Sequence, residues 1–475
     1  MFSTTASAVQ IGVDARAVHV ETHVAAGKSS FGIVGLPDAA VRESIHRVTS
    51  AFATSGYAFP KGRHLTVNLA PAAVPKSGPA YDLPIALGIL AAERLVPAAA
   101  ADVVSVGELA LDGKIRVSPN VLAAARVARL LGRPLLVPRG AESDAFLVEG
   151  VDVRPVDTLR DAVEAALDPS RRVPPVPPAA GDSLGPDLGD VKGQPVARRA
   201  IEIAAAGGHH VLLIGPPGAG KSMLAKRMPS VLPPMTGQER LETASVWAAT
   251  SRQPRPTGRP FRSPHHSASA AALLGGGSGI PEPGELSLAT GGVLFLDELG
   301  EFPAHVLDGL RQPLEDRAVT IARRGATVRY PATGQVVAAT NPCPCGYRGD
   351  RIKPCVCTDA DVRKYRRKLS GPLLDRFDIS VALGRPESFD GAPPESSAVV
   401  RARVIAARSF AAERGGTDPW STEASVLLAK ALADGALTGR GHEKVRRVGR
   451  TIADLAASDV VAVGHVLEAM ALRAA

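Results

Sequence analysis

The chain has 475 residues, of which 45% are hydrophobic and 21% charged; these values are ordinary for folded domains and exclude a disordered chain. Its net charge of +8 permits an anionic partner, although a diffuse basic surplus commonly serves solubility alone. No Lys or Arg precedes Arg16, and no apolar run approaches the roughly 18 residues that span a bilayer, so we expect a cytoplasmic protein with no membrane partner.

The sequence falls into three parts and a linker. Residues 1–167 mix alternating apolar segments with helix-like ones such as 120–131, which predicts a mixed α/β domain. Residues 168–188 intersperse prolines with small and polar residues, which is typical of a semi-rigid linker. Residues 189–385 alternate apolar strands with helices, which predicts an α/β nucleotide-binding core with a parallel sheet. Residues 386–475 have a helical pattern.

A glycine-rich loop follows a strand-like segment and precedes a helix-like one. The residues that would contact ATP there are Gly215, Pro216, Pro217, Gly218, Ala219, Gly220, Lys221, Ser222 and Met223. Glycines let backbone N–H groups converge on phosphate oxygens, Lys221 would reach the β and γ phosphates, and Ser222 would ligate Mg²⁺. The alternative is a glycine-rich turn that ends in a surface lysine, and the strand–loop–helix context disfavours it.

Two carboxylates follow an apolar strand at 291–296. Because ligands bind at the polar ends of parallel strands, Asp297 would hold Mg²⁺ through water, and Glu298 would orient and deprotonate the attacking water. Two acids after a strand are by themselves more often a helix start. The catalytic interpretation therefore depends on the glycine-rich loop.

A third strand, over 335–340, ends in Asn341, which could sense the γ phosphate or position the water. Asn is also a common turn residue, so this assignment depends on the other two motifs. Near the end of the core, Arg376 is a candidate to complete a neighbouring subunit's site, as such arginines do in ring ATPases. The alternative is an intramolecular salt bridge with Asp375 or Asp378.

The segment from 341 to 376 is basic and contains every cysteine of the chain. It holds nine Lys or Arg against four Asp, so it could bind DNA phosphates in a salt-dependent manner with little sequence preference. The cysteines are Cys343, Cys345, Cys355 and Cys357. Four clustered thiolates suit a tetrahedral structural zinc. Their CxC spacing is less common than CxxC, which leaves free thiols in a reducing cytosol as the alternative.

Four segments carry a family resemblance: Arg-Pro-Phe-Arg-Ser-Pro-His-His at 259–266, Pro-Gly-Glu-Leu-Ser-Leu at 283–288, Asn-Pro-Cys-Pro-Cys-Gly at 341–346 and Ser-Gly-Pro-Leu-Leu-Asp-Arg at 370–376. Through them, nearly the whole chain resembles the magnesium-chelatase-like AAA+ ATPases of the ComM/YifB type. The resemblance implies a ring-forming, homo-hexameric motor, similar to DNA translocases that drive branch migration during natural transformation.

The same resemblance implies two insertions in the ATPase core. Residues 262–286 would form a helix insertion and residues 318–333 a hairpin, and both would project into the central pore. Arg323 and Arg324, at the hairpin turn, would then contact DNA phosphates. The alternative is a solvated hairpin tip.

Further residue roles follow from the resemblance. Arg440 is similar to the lid arginine that touches the γ phosphate of its own subunit, with Arg447 as the second candidate. The segment Val191, Lys192 and Gly193 resembles the family's lining of the adenine pocket.

The first part of the chain resembles the Lon-type protease fold, a ribosomal S5 domain 2-like fold, through residues 75–79 and 107–113. Where that family has its nucleophilic serine this chain has Ala80, and where it has the activating lysine this chain has Leu122. Because a Ser-Lys mechanism needs both partners, we expect this domain to be catalytically inactive.

Three functions remain open at this point. A DNA translocase is favoured by the basic cysteine segment and the first domain. A chelatase-like subunit, which drives metal insertion or remodels a protein partner, would be expected to lack both. An ATP-dependent protease is disfavoured by Ala80 and Leu122.

Overall fold

The computed structural model describes residues 1–175, 185–250, 256–277, 279–323, 326–386 and 393–473. Two compact units are present, the first Met1–Ala179 with Arg240–Gln253 and the second Ala180–Glu239 with Pro254–Ala475. Residues 176–184 of the predicted linker lie outside the described residues. Among the described residues, none of the helices combines the length and the hydrophobicity that a bilayer span requires.

The first unit is built on a seven-stranded mixed sheet. The strands of this unit are β1 (Phe2–Ile11), β2 (Asp14–Ala26), β3 (Ser30–Val34), β4 (Arg63–Ala70), β5 (Val104–Ser105), β6 (Glu108–Leu109), β7 (Ile115–Arg116), β8 (Leu135–Pro138) and β9 (Val153–Val156). Its helices are α1 (Ala39–Thr54), α2 (Asp82–Ala92), α3 (Val121–Leu131), α4 (Glu142–Ala145) and α5 (Leu159–Leu167). The sheet order is β3-β4-β2-β1-β5-β8-β9, and β6 pairs with β7 separately.

Helices cover both faces of this sheet. Successive strand residues point to opposite faces, and in β1 Ala6 and Ala8 pack into the apolar cluster of α3 while Val9 packs into that of α2. Every residue of α2 is buried, because its sequence is apolar on all sides after Asp82. The buried carboxylate of Asp82 accepts hydrogen bonds from Arg47 Nε (2.6 Å) and from the backbone N–H of Leu109 (3.1 Å).

Apolar side chains occupy the two positions at which a Lon-type protease would have its catalytic serine and lysine. Ala80 is fully buried and Leu122 is 2% exposed, and Ala80 belongs to the apolar cluster of α3. Neither position offers a hydroxyl or an amine.

The second unit contains the remaining strands, β10 (Val211–Ile214), β11 (Phe261–Arg262), β12 (Gly275–Gly276), β13 (Glu282–Pro283), β14 (Val293–Leu296), β15 (Ala318–Arg323), β16 (Ala326–Pro331), β17 (Gln335–Thr340) and β18 (Ile379–Ala382). The helices that follow α5 along the chain are α6 (Pro195–Gly207), α7 (Lys221–Ala225), α8 (Met228–Val231), α9 (Gly237–Ala248), α10 (Ala270–Leu274), α11 (Glu285–Leu288), α12 (Ala304–Gly309), α13 (Arg311–Asp316), α14 (Asp359–Lys368), α15 (Gly371–Leu374), α16 (Ser397–Arg414), α17 (Thr422–Ala433), α18 (Gly439–Leu455) and α19 (Val463–Ala471). From Arg240 onward, α9 belongs to the first unit.

The sheet of the second unit confirms the predicted parallel sheet. Its order is β11-β14-β17-β10-β18, and each neighbouring pair is parallel. Strands β14 and β17 are buried throughout, which explains their continuous apolar runs. One apolar cluster joins Leu213 and Phe295 of the sheet to Val448 of α18, so the C-terminal helices pack on the sheet layer.

The two predicted insertions contain short elements. Residues 262–286 include α10 and the antiparallel ribbon of β12 and β13. Strands β15 and β16 form an antiparallel pair from Ala318 opposite Pro331 to Arg323 opposite Ala326. Arg324 and Gly325 lie outside the described residues.

Candidate nucleotide-binding site

The carboxyl ends of β10, β14 and β17 meet at one edge of the parallel sheet. The glycine-rich loop follows β10 and begins with a hydrogen bond from Gly215 N to Thr340 O (3.2 Å), at the end of β17. A Cβ at Gly215 would lie 2.5 Å from Leu383 O, so only glycine allows the loop to start this close to the chain after β18. The loop residues are therefore held against two other strand ends.

Lys221 joins the loop to the end of β17. Its ammonium group donates to the carbonyl oxygens of Gly215 (2.5 Å) and Pro216 (3.0 Å) and to Asn341 Oδ1 (3.1 Å). Burial lowers the pKa of Lys221, while the nearby charge of Asp297 opposes this shift. The predicted phosphate lysine and the predicted sensor asparagine are thus in direct contact.

Ser222 joins the loop to the end of β14. Its hydroxyl donates to Asp297 Oδ2 (2.7 Å), and Asp297 Oδ1 accepts from the backbone N–H of Glu298 (3.0 Å). Hydroxyl and carboxylate oxygens are the donors that Mg²⁺ prefers. The two predicted magnesium ligands therefore lie together and have suitable chemistry.

Glu298 has an unexpected partner. Its backbone adopts a left-handed conformation (φ 51°), and its Oε2 lies 3.1 Å from His266 Nδ1. The His266 ring also stacks against that of His265, with 4.0 Å between ring centroids. Sequence reasoning used both histidines only as a family signature and missed the contact with Glu298. Two adjacent histidines shortly after β11, which neighbours β14 in the sheet, were the available signal.

The predicted adenine segment is attached to the loop by Gln194, the residue that follows it. Val191 is buried, and Lys192 and Gly193 precede Gln194. The side-chain amide of Gln194 donates to Ala219 O in the glycine-rich loop (3.0 Å) and to Gly384 O (2.7 Å). The segment therefore borders the loop.

The four cysteines lie together, with their sulfur atoms all within 4.8 Å of one another. Cys343 is buried and the other three are partly exposed. Backbone N–H groups of Tyr347 and Val356 donate to the sulfur of Cys345 and lower its thiol pKa. Four sulfur donors at this separation match the donor set of a tetrahedral zinc site.

Arg376 and Arg440 form a second group. Arg376 donates to Glu315 Oε2 and to Arg311 O (3.4 Å), both in α13. The alternative of an intramolecular salt bridge is therefore present, but its partner is Glu315 in place of the expected Asp375 or Asp378, because the guanidinium lies against α13, where it also contacts Arg311 O. Arg440, in the first turn of α18, donates to Asp375 Oδ2 (3.0 Å).

Arg447, the second candidate for the lid role, donates to Asp378 Oδ1 (2.7 Å). It lines a cleft of about 880 Å³ that Arg376 and Asp375 also line. Lys221 and Asn341, by contrast, are joined at the sheet edge.

Arg323 lies at the end of β15 and is exposed, as expected for a hairpin tip. Its guanidinium donates only weakly to the neighbouring Ala322 O (3.3 Å). Arg324 cannot be compared with it, because that residue lies outside the described residues.

A parallel sheet with a glycine-rich loop between strand and helix, a lysine at its end and acids after a neighbouring strand is the arrangement of P-loop nucleotide-binding proteins. Family models agree with this class. The model described as "Magnesium chelatase, subunit ChlI" matches residues 187–390, that of "Subunit ChlI of Mg-chelatase" residues 20–141, and that of "Magnesium chelatase, subunit ChlI C-terminal" residues 394–473.

Similar proteins extend over the whole chain. Protein YifB of Escherichia coli is 42% identical over 98% of this chain and 95% of its own length. Competence protein ComM of Haemophilus influenzae is 41% identical over 98% of this chain and 96% of its own length. A probable DNA helicase, MCM9 of Arabidopsis thaliana, is 28% identical over 42% of this chain and 25% of its own length. The chain belongs to the magnesium-chelatase-like family that includes YifB and ComM.

Proposed function

We propose that the chain is an AAA+ ATPase that works as a motor on DNA. The observation that carries the ATPase part is the joining of Lys221, Asn341, Ser222 and Asp297 by hydrogen bonds across three strand ends. In this arrangement Lys221 and the loop N–H groups bind the phosphates. Asn341, already in contact with Lys221, is positioned to detect the γ phosphate.

Magnesium fits the oxygen donors of Ser222 and Asp297, which lie in contact with each other. When bound, the ion neutralises charge that develops on the phosphates. Glu298 accepts the proton of the attacking water, and His266 holds its carboxylate through the 3.1 Å contact. Arg376 is proposed to act on the phosphates of a neighbouring subunit, and Arg440 on the γ phosphate of its own.

The DNA part rests on different observations. A relative is named a competence protein, and a more distant one a probable DNA helicase. The exposed Arg323 and its neighbour Arg324 would contact phosphates from the hairpin of β15 and β16, and the basic segment 341–376 would add further charge. We propose a homo-hexameric ring that translocates on single-stranded or branched DNA and promotes branch migration in recombination or natural transformation.

A second candidate function is a chelatase-like ATPase subunit that drives metal insertion or remodels a protein partner. The descriptions of the three matching family models favour it. Both candidates use the same ATP site, so a dependence on DNA is what separates them.

The first unit is proposed to have a Lon-protease-like fold without protease activity, supported by the buried Ala80 and Leu122. The α16 to α19 segment is proposed as the helical lid. The cysteine cluster is proposed to bind a structural Zn²⁺, because four sulfurs leave no ligand position open for water. A cytoplasmic location, where thiols stay reduced, suits such a site.

The test of the function is the ATPase rate of the purified chain with and without single-stranded and forked DNA, at several salt concentrations. Stimulation by DNA that weakens as salt rises supports the motor, because phosphate contacts release counterions. An ATPase rate that ignores DNA contradicts the DNA part and leads to a test with protein or porphyrin partners. Absence of ATP hydrolysis contradicts both candidates.

A further inference from the structure

The loop that carries the four cysteines packs against the phosphate-binding loop. A Cβ at Gly346 would lie 2.8 Å from Cδ and 3.1 Å from Cγ of Pro217, and the first of these distances is shorter than real Cβ contacts. The same Cβ would lie 3.7 Å from Cγ of Asn341, the residue that accepts a hydrogen bond from Lys221. The cysteine loop therefore lies against Pro217 of the phosphate-binding loop.

The middle of the cysteine loop is linked to the same site through Asp350. Asp350 accepts a hydrogen bond from Arg385 Nε at 2.9 Å, and its side chain is only 1% exposed. Arg385 directly follows Gly384, whose carbonyl accepts from Gln194. Because Gln194 also donates to Ala219 of the phosphate-binding loop, the cysteine loop is connected to that loop at Asp350 as well as at Gly346.

Polar contacts, such as those of Asp350 with Arg385 and with the backbone N–H of Ile352, act beside the cysteines in holding the cysteine loop. Between the end of β17 and the start of α14 it forms neither helix nor strand. Its aliphatic side chains Ile352 and Val356 are 75% and 82% exposed, so they contribute no core. In a segment without a core, binding of a metal ion by four thiolates supplies much of the folding free energy.

We infer that occupancy of the cysteine cluster by a thiolate-binding divalent cation such as Zn²⁺ sets the nucleotide affinity, through the contact between Gly346 and Pro217. With the ion bound, Gly346 supports Pro217 and keeps the phosphate-binding loop in its binding conformation. Without the ion, the cysteine loop loosens and this support is lost. The inference rests on the proposed ATP site and adds to it a metal-dependent support of the phosphate-binding loop.

The test compares variants by two measurements, zinc content by mass spectrometry and the dissociation constant of a fluorescent ATP analogue with Mg²⁺ present. Cys355→Ser should lose zinc and bind the analogue about tenfold more weakly. Gly346→Ala should keep zinc and show the same loss, because the added methyl group displaces Pro217. Gly349→Ala is the matched control, since Gly349 has a similar φ of +80° but no atom within 4 Å of the added Cβ.

Several results would overturn the inference. These are a wild-type chain that takes up no zinc, zinc-free wild-type protein that binds the analogue normally, or Gly346→Ala with unchanged affinity. If Gly346→Ala itself loses zinc, Arg385→Ala replaces it, since that change removes the contacts of Arg385 with Asp350 and with the Tyr347 ring and touches no cysteine; it should weaken binding while zinc stays. Lys221→Ala distinguishes the two proposals, because unchanged binding by that variant would contradict the ATP site itself.

Discussion

Lys221 contacts three oxygen atoms around the glycine-rich loop, so its ammonium group is already oriented toward the place where phosphates would bind. Glu298 contacts Asp297 through its backbone N–H and His266 through its carboxylate. Binding and hydrolysis are therefore assigned to different side chains. Substitutions at the two positions should separate them.

Glu298→Gln should preserve ATP binding and reduce kcat by about 10²–10⁴-fold, because the amide keeps the shape of the side chain but accepts no proton. Steady-state ATPase assays give kcat, and titration with a fluorescent ATP analogue gives the affinity. Lys221→Ala is the comparison, and it should lose binding. A Glu298→Gln variant that hydrolyses ATP at the wild-type rate would remove Glu298 from the role of base.

His266→Ala should lower kcat about tenfold with little change in KM for ATP, because it frees the carboxylate of Glu298 to leave its working orientation. The control is His265→Ala, because the His265 ring contacts Ser267 (2.8 Å) and the His266 ring, whereas the contact with Glu298 is made by His266 itself. Equal effects of the two substitutions would indicate a general disturbance of the loop after β11. A rise in kcat on His266→Ala would contradict the positioning role.

At the scale of elements, the sheet edge was predictable and the loops around it were not. Parallel strands bring their carboxyl ends together, so the contacts of Lys221 with Asn341 and of Ser222 with Asp297 follow from recognising three strands. The contact of His266 with Glu298 depends on the path of the loop after β11, which no periodicity encodes. The pairing of Arg440 with Asp375 depends on how α18 packs on the sheet, which is a tertiary property.

The C-terminal helices are joined to the sheet by a buried polar network. His209 Nδ1 lies 3.1 Å from Asp378 Oδ2, and His209 Nε2 lies 2.9 Å from Thr451 Oγ1 on α18. Arg447, also on α18, donates to the same carboxylate. Burial raises the pKa of Asp378, but the hydrogen bond from His209 and the charges of His209 and Arg447 outweigh it, so the pKa lies below its ordinary value of 3.8.

Asp378→Asn should therefore cost about 1–3 kcal/mol of unfolding free energy at neutral pH. A depressed folded-state pKa gives stability that is present above the unfolded-state value and is lost as pH falls through the folded-state value. The difference in unfolding free energy between the parent and Asp378→Asn should thus shrink as pH falls below 3.8.

Denaturant unfolding followed by the fluorescence of Trp420, in a Trp247→Phe background, reports on the second unit. The control is Asp418→Asn, which removes a half-exposed partner of Arg446, a residue of α18 like Arg447. It should cost less than about 1 kcal/mol of unfolding free energy. A difference between the parent and Asp378→Asn that stays constant down to about pH 3 would contradict the role of the Asp378 charge.

A separate prediction concerns the effect of DNA on the ATPase rate and involves the hairpin of β15 and β16. Arg323→Ala should reduce the DNA-stimulated ATPase rate severalfold and leave the rate without DNA unchanged, because only the tip would contact phosphates. Arg329→Ala is matched in charge and exposure but lies on the stem, opposite Thr320. Equal losses in both variants would mean that the hairpin contributes only diffuse charge.

At the scale of the whole molecule, the arginines and the phosphate-binding loop have different polar partners. Arg376 pairs with Glu315, and Arg440 pairs with the residue next to Arg376. Lys221 pairs with Asn341 at the sheet edge. In a closed ring with head-to-tail interfaces, the arginines of each subunit meet the phosphate-binding loop of its neighbour. The proposed ring therefore predicts that each nucleotide site is shared between two subunits.

Mixing two inactive variants tests this arrangement. Lys221→Ala removes the loop lysine and Arg376→Ala the proposed neighbouring arginine, so each protein alone should be inactive. In a randomly mixed ring, about a quarter of the interfaces would combine an intact loop with an intact arginine, so ATPase activity should return. If Arg376 acted on its own subunit's nucleotide, no chain in the mixture would hold both groups and activity would stay absent. Titrating one variant against a fixed amount of the other, with the ATPase rate as the readout, decides between shared and self-contained sites.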